Sequence, residues 1–146
     1  PIPIRTIHHS SLVIHPAPPM KYAPLAASIM LGLLFIMTAC MFFFNLMPAQ
    51  EIPKDSAQEH FMAAFGPTGY MKFVKVFELL GGLLLLVPKT RNLGLLCIGP
   101  VLVNILAYHA FVMKGVGLLN PMLIVICLLA LFLLWSERKS WAALIH

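Results

Sequence analysis

Four apolar windows recur along the chain, Leu25 to Met47, Gly69 to Val87, Leu93 to Met113 and Leu118 to Trp135. Each approaches the ~20 predominantly apolar residues that a helix needs to cross a hydrocarbon layer about 30 Å thick. Helix breakers divide them: Pro48 and Pro53 after the first, Pro67 and Gly69 before the second, Pro88 to Asn92 after it, and Lys114 to Gly117 with Asn120 and Pro121 between the last two. The fourth window is the shortest, and its core after Pro121 spans only about 22 Å at ~1.5 Å per residue. It is expected to begin at Leu118 or to continue past Trp135. No period-two alternation competes, and backbone groups in lipid must be satisfied within their own segment, so every window predicts a helix. The expected fold is all-α, a four-helix transmembrane bundle over residues 20–141, with a peripheral N-terminal tail at 1–19 and a short C-terminal tail at 142–146.

The polar stretches refine this plan. Residues 1–19, "PIPIRTIHHSSLVIHPAPP", follow no helical period and are interrupted by prolines. They read as a disordered or peripheral segment, and their His8, His9 and His15 as part of a flexible tail rather than as metal ligands. Met20 followed by Lys21 and an apolar run reads as a natural start, with the preceding residues as an upstream extension. "MKYAPLAASIMLGLLFIMTAC" also has the form of a lipoprotein signal ending at Cys40, but the apolar run continues through Met47, which predicts an uncleaved helix. The longest connection, "PAQEIPKDSAQEHFMAAFGPTG", contains Ser56 with Glu59 three positions on, a capping-box spacing. It predicts a short amphipathic helix with Phe61 and Phe65 on one face, lying at the membrane surface or, with His60, acting as a lid.

Composition agrees with the windows and excludes an ordinary soluble domain: 60% of the residues are hydrophobic, 10% are charged, and the mean hydropathy is +0.92. The formal charge of +5 follows from topology rather than from a nucleic-acid surface. Four crossings put both termini and the middle turn on one side, which collects Arg5, Lys21, Lys89, Arg91, Arg138 and Lys139. Lys54, Lys72 and Lys114 fall on the other. Because Lys and Arg concentrate on the cytoplasmic face, the expectation is a multi-pass protein of the bacterial inner membrane with both termini cytoplasmic. Tyr22 and Trp135 would mark the inner interface and Tyr70 the outer.

The chemistry lies in polar residues inside the apolar windows. Lys72, Lys75 and Glu78 interrupt "YMKFVKVFELLGGLLLLV", and Lys75, Glu78 and Gly82 share one helical face. Counted from the outer helix ends at ~1.5 Å per residue, Glu78 and Asn104 lie level, roughly 13 Å deep, with Tyr108 and His109 nearer the surface. Lysine side chains at this depth can reach up to water, but a glutamate cannot. An ionised Glu78 costs several kcal/mol unless Lys75, Asn104 or Tyr108 pairs with it. Pro100 and Gly99 add an expected kink and a close approach just below Asn104. Lys75, Glu78, Asn104, Tyr108 and His109 thus form a candidate pocket opening outward.

"KVFELLGGLLLL", a basic turn and "GPVLVNILAYHAF" together resemble the DoxX family of small four-helix membrane proteins. The resemblance runs from Met20 to about Trp141 and includes "FNLMP" at the exit of the first helix and "GPTGY" at the entry of the second; the N-terminal tail departs from it. It singles out Lys75, Glu78, Asn104 and His109. It also implies a redox setting, since some relatives are associated with thiosulfate:quinone oxidoreductase and other membrane redox assemblies, while many have no assigned activity.

Cys40, Cys97 and Cys127 lie in three different windows with no C-x-x-C pair, so they read as packing residues and not as a dithiol relay. Paired membrane histidines for haem and phosphate-binding glycine loops are missing from the sequence. Electron transfer would therefore require a quinone or a partner's cofactor. Three functions are compatible with these residues. The first is a membrane subunit of a redox-associated complex, whose pocket binds a quinone or a small sulfur species and whose partners are the lipid bilayer and other membrane or periplasmic redox proteins. The second is a non-catalytic scaffold in which the polar groups fix packing. The third is a small proton-coupled exporter, for which pH-driven efflux in vesicles is the deciding measurement.

Overall fold

The computed structural model describes residues 22–48 and 51–145; the N-terminal tail lies outside the described residues. All regular structure among them is helical: α1 (Ala23–Phe43), α2 (Ala57–Phe65), α3 (Tyr70–Leu86), a 3₁₀ turn (Pro88–Thr90), α4 (Arg91–Ala107) running into a π-helical segment (Tyr108–Val112), α5 (Pro121–Ser136) and α6 (Arg138–Ile145). The four long helices α1, α3, α4 and α5 pack side by side, α3 between α1 and α4 and α5 against α1 and more lightly against α4. One end carries the α1–α2 connection and the turn after the π segment and is called the loop end here. The other, the terminal end, carries the start of α1, the 3₁₀ turn and α6.

Two helices are long and apolar enough to cross a membrane, α1 and the 25-residue run Pro88–Val112. α3 and α5 are shorter, at 17 and 16 residues. The expected windows shift at their ends, each for a local reason. α1 stops at Phe43 instead of continuing to Met47, because Asn45 takes the left-handed conformation (φ 55°). Its N–H then donates to Phe42 O and that of Leu46 to Met41 O, the Schellman arrangement. α5 begins at Pro121 and not Leu118, since Asn120 caps it, accepting a hydrogen bond from Met122 N–H at 2.9 Å. After a single turn residue, Glu137, the chain continues as α6, so the tail boundary expected at 142 falls within a helix.

Glycines set the tightest approach. A Cβ on Gly82 would lie 2.9 Å from Gly32 O, and one on Gly32 would lie 2.7 Å from Gly82 O, so α1 and α3 touch backbone to backbone at this pair. Between α3 and α4, a Cβ on Gly94 would lie 2.9 Å from Gly81 O, and Gly81 in turn makes room for the Ile98 side chain. Gly99, expected to permit a close approach, has open space where its Cβ would stand; what it provides is room for Pro100, whose ring crowds a preceding side chain. The core, built from Ala27, Leu31, Phe35, Leu85, Leu95, Ile98, Ala130 and Leu133, sits where these contacts converge. Outward faces are apolar as well, with Leu33, Met37, Leu80, Leu83, Val103, Leu128 and Leu131 all exposed.

Candidate functional site

Glu78 is the buried acid of the helix packing, 2% exposed at the middle of α3. Gly82, one turn on, draws α1 against this face and closes it to solvent. The Lys75 ammonium, three residues before it, donates to Glu78 Oε2 at 2.7 Å. Thr38 of α1 reaches the same oxygen at 3.2 Å, its single hydroxyl proton shared with the Phe35 carbonyl at 3.0 Å. The charge is therefore neutralised within one helix and anchored across to a second. Thr38 was not among the residues singled out from sequence, yet it is the lone hydroxyl in the last three turns of α1 and lies near the depth of Glu78.

Asn104, expected at the side of Glu78, is elsewhere. It is exposed on the face of α4 that, with α3, forms a groove of about 210 Å³ lined by Tyr70, Phe73, Val74, Phe77, Leu96, Cys97, Pro100, Val101 and Asn104. The amide makes no hydrogen bond among the described residues, and it is the polar side chain of an otherwise apolar and aromatic lining. Tyr70 and Phe73 also line a shallower depression of about 450 Å³ that extends to Ala64, Phe65, Thr68 and Gly69 at the end of α2. The two depressions share Tyr70 and Phe73 in their linings.

Tyr108 and His109 occupy a third place. The π segment begins at Tyr108, where Met113 N–H bonds to Tyr108 O five residues back. His109 donates its Nδ1–H to the Ile105 carbonyl at 2.8 Å, a bond within its own helix, and its ring rests where a side chain on Gly117 would stand. A carbonyl can only accept, so the bond assigns the proton to Nδ1 and leaves Nε2 as the second ring position. Tyr108 stacks on Phe61 of α2 (5.0 Å between centroids), Phe61 on Phe65 (4.7 Å) and Phe65 on Tyr70 (4.9 Å). Gln58 also approaches the Tyr108 phenol.

This aromatic chain holds α2 over the loop ends of α3 and α4. The helix starts as its sequence predicts: Ser56 Oγ accepts from Glu59 N–H at 3.1 Å, while Glu59 Oε2 accepts in return from Asp55 N–H at 2.6 Å. Phe61 is half-buried against the bundle, Phe65 is exposed apart from its contacts with Phe61 and Tyr70, and His60 is exposed. The five residues of the expected pocket are thus divided among a buried ion pair (Lys75, Glu78), an open groove (Asn104) and a capped aromatic layer (Tyr108, His109). No group of three or more His, Cys, Asp or Glu side chains suited to a metal occurs among the described residues.

Over 72 residues, 49% of its length, the chain is similar at 36% identity to the uncharacterized protein YwoB of Bacillus subtilis (strain 168). The match covers 45% of YwoB, so the chain spans about half the length of this relative. No family model matches the chain, and no solved structure matches it.

Proposed function

We propose that this protein is a DoxX-like, multi-pass protein of the bacterial inner membrane, acting as the membrane subunit of a redox-associated complex and binding a quinone headgroup in the α3/α4 groove. Membrane insertion of all four long helices is supported by their outward faces. Large apolar side chains exposed along the middle of every helix suit lipid and would be an aggregation hazard in water. At ~1.5 Å per residue α3 and α5 reach about 25 Å, close enough to the hydrocarbon thickness for local thinning and polar ends to accommodate the difference.

The observation that carries the binding proposal is the unpartnered Asn104 amide within an aromatic, lipid-facing groove. A quinone presents carbonyl acceptors on a flat ring, which call for a hydrogen-bond donor between apolar walls. Asn104 Nδ2 supplies the donor, and Tyr70, Phe73 and Phe77 supply the walls. A small sulfur oxyanion fits less well, because the groove has no cation and Lys75 is committed to Glu78. Gentle purification from native membranes, followed by solvent extraction and quantification of quinone, tests the reading. Quinone is expected near stoichiometric amounts and depleted about tenfold in Asn104→Leu, the loss of ~1.4 kcal/mol of binding; equal quinone in both preparations rejects the groove.

A second reading, a non-catalytic scaffold, is favoured by a different observation. Glu78 is bonded both to Lys75 and to Thr38, which is what a packing device between α1 and α3 requires. Under that reading Glu78→Gln lowers thermal stability and leaves cellular redox phenotypes unchanged.

A further inference from the structure

At the terminal end a second buried polar cluster lies outside the groove and the ion pair of α3. Arg91, in the first turn of α4, donates Nη1–H to Glu137 Oε1 at 2.8 Å, and its side chain is only 9% exposed. Trp141 follows Glu137 by one turn, its backbone N–H donating to the Glu137 carbonyl at 3.2 Å, and its ring packs against the core. Three side-chain atoms of this layer are buried without a partner among the described residues: Arg91 Nε, Trp141 Nε1 and Asn92 Oδ1. Two are donors and one is an acceptor. Leaving such groups unbonded costs about 1–3 kcal/mol each, so their retention at one level of the molecule calls for something that bonds them.

The surrounding charge says what kind of group that is. Lys89, Arg91, Arg138 and Lys139 stand against the single carboxylate of Glu137, a local excess of three positive charges (four minus one). Arg138 is also held in place, its guanidinium 4.4 Å from the Trp135 ring centroid and its Nη1–H donating to Trp135 O at 2.9 Å. The N-terminus of α4 adds the positive end of its dipole. We infer that the Arg91, Asn92 and Trp141 cluster is a binding site for the headgroup of an anionic phospholipid bearing a hydroxyl, of the phosphatidylglycerol class, in the leaflet that meets the terminal end. The two donors bond the phosphodiester oxygens, the headgroup hydroxyl donates to Asn92 Oδ1, and Lys89, Arg138 and Lys139 form the cationic rim. Trp141 is carried on α6, which joins α5 through Glu137 alone, so a hinge of this short amphipathic helix at Glu137 admits the headgroup and returns the indole N–H onto it. The inference needs the membrane but is independent of the redox reading: lipid retention and quinone content are separate measurements.

Native mass spectrometry of the full chain, exchanged into detergent with equimolar phosphatidylglycerol and phosphatidylcholine, tests it. Phosphatidylglycerol is expected to be retained over phosphatidylcholine by about tenfold. Trp141→Phe, which keeps the ring and removes the donor, is expected to cut that preference several-fold. So is the surface double variant Arg138→Gln/Lys139→Gln, which removes only exposed charge and does not threaten folding. Equal retention of the two lipids overturns the proposal, and so does a preference that both variants leave intact. Inorganic phosphate at millimolar concentration serves as the other arm. Thermal stabilisation by phosphate equal to that by the lipid would assign the site to a free anion and reject the lipid headgroup.

Discussion

Burying Glu78 is tolerable because three groups from two helices share the cost of desolvation. Removing one of them exposes the imbalance. Glu78→Gln leaves the Lys75 ammonium, 15% exposed, without its counter-charge, and is expected to destabilise by about 3 kcal/mol, the range for breaking a buried pair. Adding Lys75→Met should recover much of that loss, since an apolar pair of similar size has no charge to desolvate. Thr38→Val removes one hydrogen bond of 3.2 Å from a shared proton and should cost about 1 kcal/mol. Thermal unfolding in detergent of Glu78→Gln, Lys75→Met and the double variant reads the coupling directly; additive losses would show that Lys75 and Glu78 do not act as a pair. Of the three partners that the sequence offered Glu78, Lys75 was legible as a neighbour because a three-residue spacing on one helix fixes both depth and direction. Asn104 was not, for a physical reason. Counting residues along two helices gives their relative depth but not the angle at which each side chain leaves its helix toward a particular neighbour. Glu78 faces α1, while Asn104 faces the open side between α3 and α4.

The same distinction between length and direction holds for the helices. The order of the four long helices was readable from the apolar windows, because Pro, Gly and polar clusters interrupt the hydropathy wherever the chain turns between them, whereas α6, which is not an apolar run, was not. Their ends depended on single residues whose backbone conformation hydropathy does not report, Asn45 above all. Its left-handed turn ends α1 while the sequence is still apolar. The glycines make the point energetically. Gly82→Ala drives a Cβ to 2.9 Å from both the Gly32 carbonyl oxygen and Ile36 Cγ1, and backbone on one side of that contact cannot rotate away. The α1–α3 spacing must open, at a cost of about 1–3 kcal/mol. Gly99→Ala meets no neighbour; the gain of up to ~1 kcal/mol in helix propensity is offset by crowding against Pro100, so a net change below ~1 kcal/mol is expected. Measured by thermal unfolding, the two substitutions should separate clearly. Equal effects would mean that α1 and α3 are not in backbone contact.

For the molecule as a whole, the antiparallel order of α1, α3, α4 and α5 assigns every connection to one of two ends, and the membrane reading turns those ends into two compartments. Lys54 and Lys114 belong to the loop end, and Lys89 and Lys139 to the terminal end. Single cysteines at these four positions, in a background with Cys40, Cys97 and Cys127 replaced by alanine, make the assignment measurable with a membrane-impermeant thiol reagent on intact cells. The three native cysteines are free and partly buried within helices, so their replacement should be tolerated. Under the membrane reading, the bias of Lys and Arg toward the terminal end predicts a cytoplasmic location for that end. Labelling is therefore expected at 54 and 114 in intact cells, and at 89 and 139 only after permeabilisation. The reverse pattern would keep the four-crossing arrangement and invert its orientation, moving the phospholipid site to the outer leaflet. Labelling of 89 and 114 from the same side would instead show that α4 does not cross, and with it the lipid-facing groove at Asn104 and its quinone would be lost.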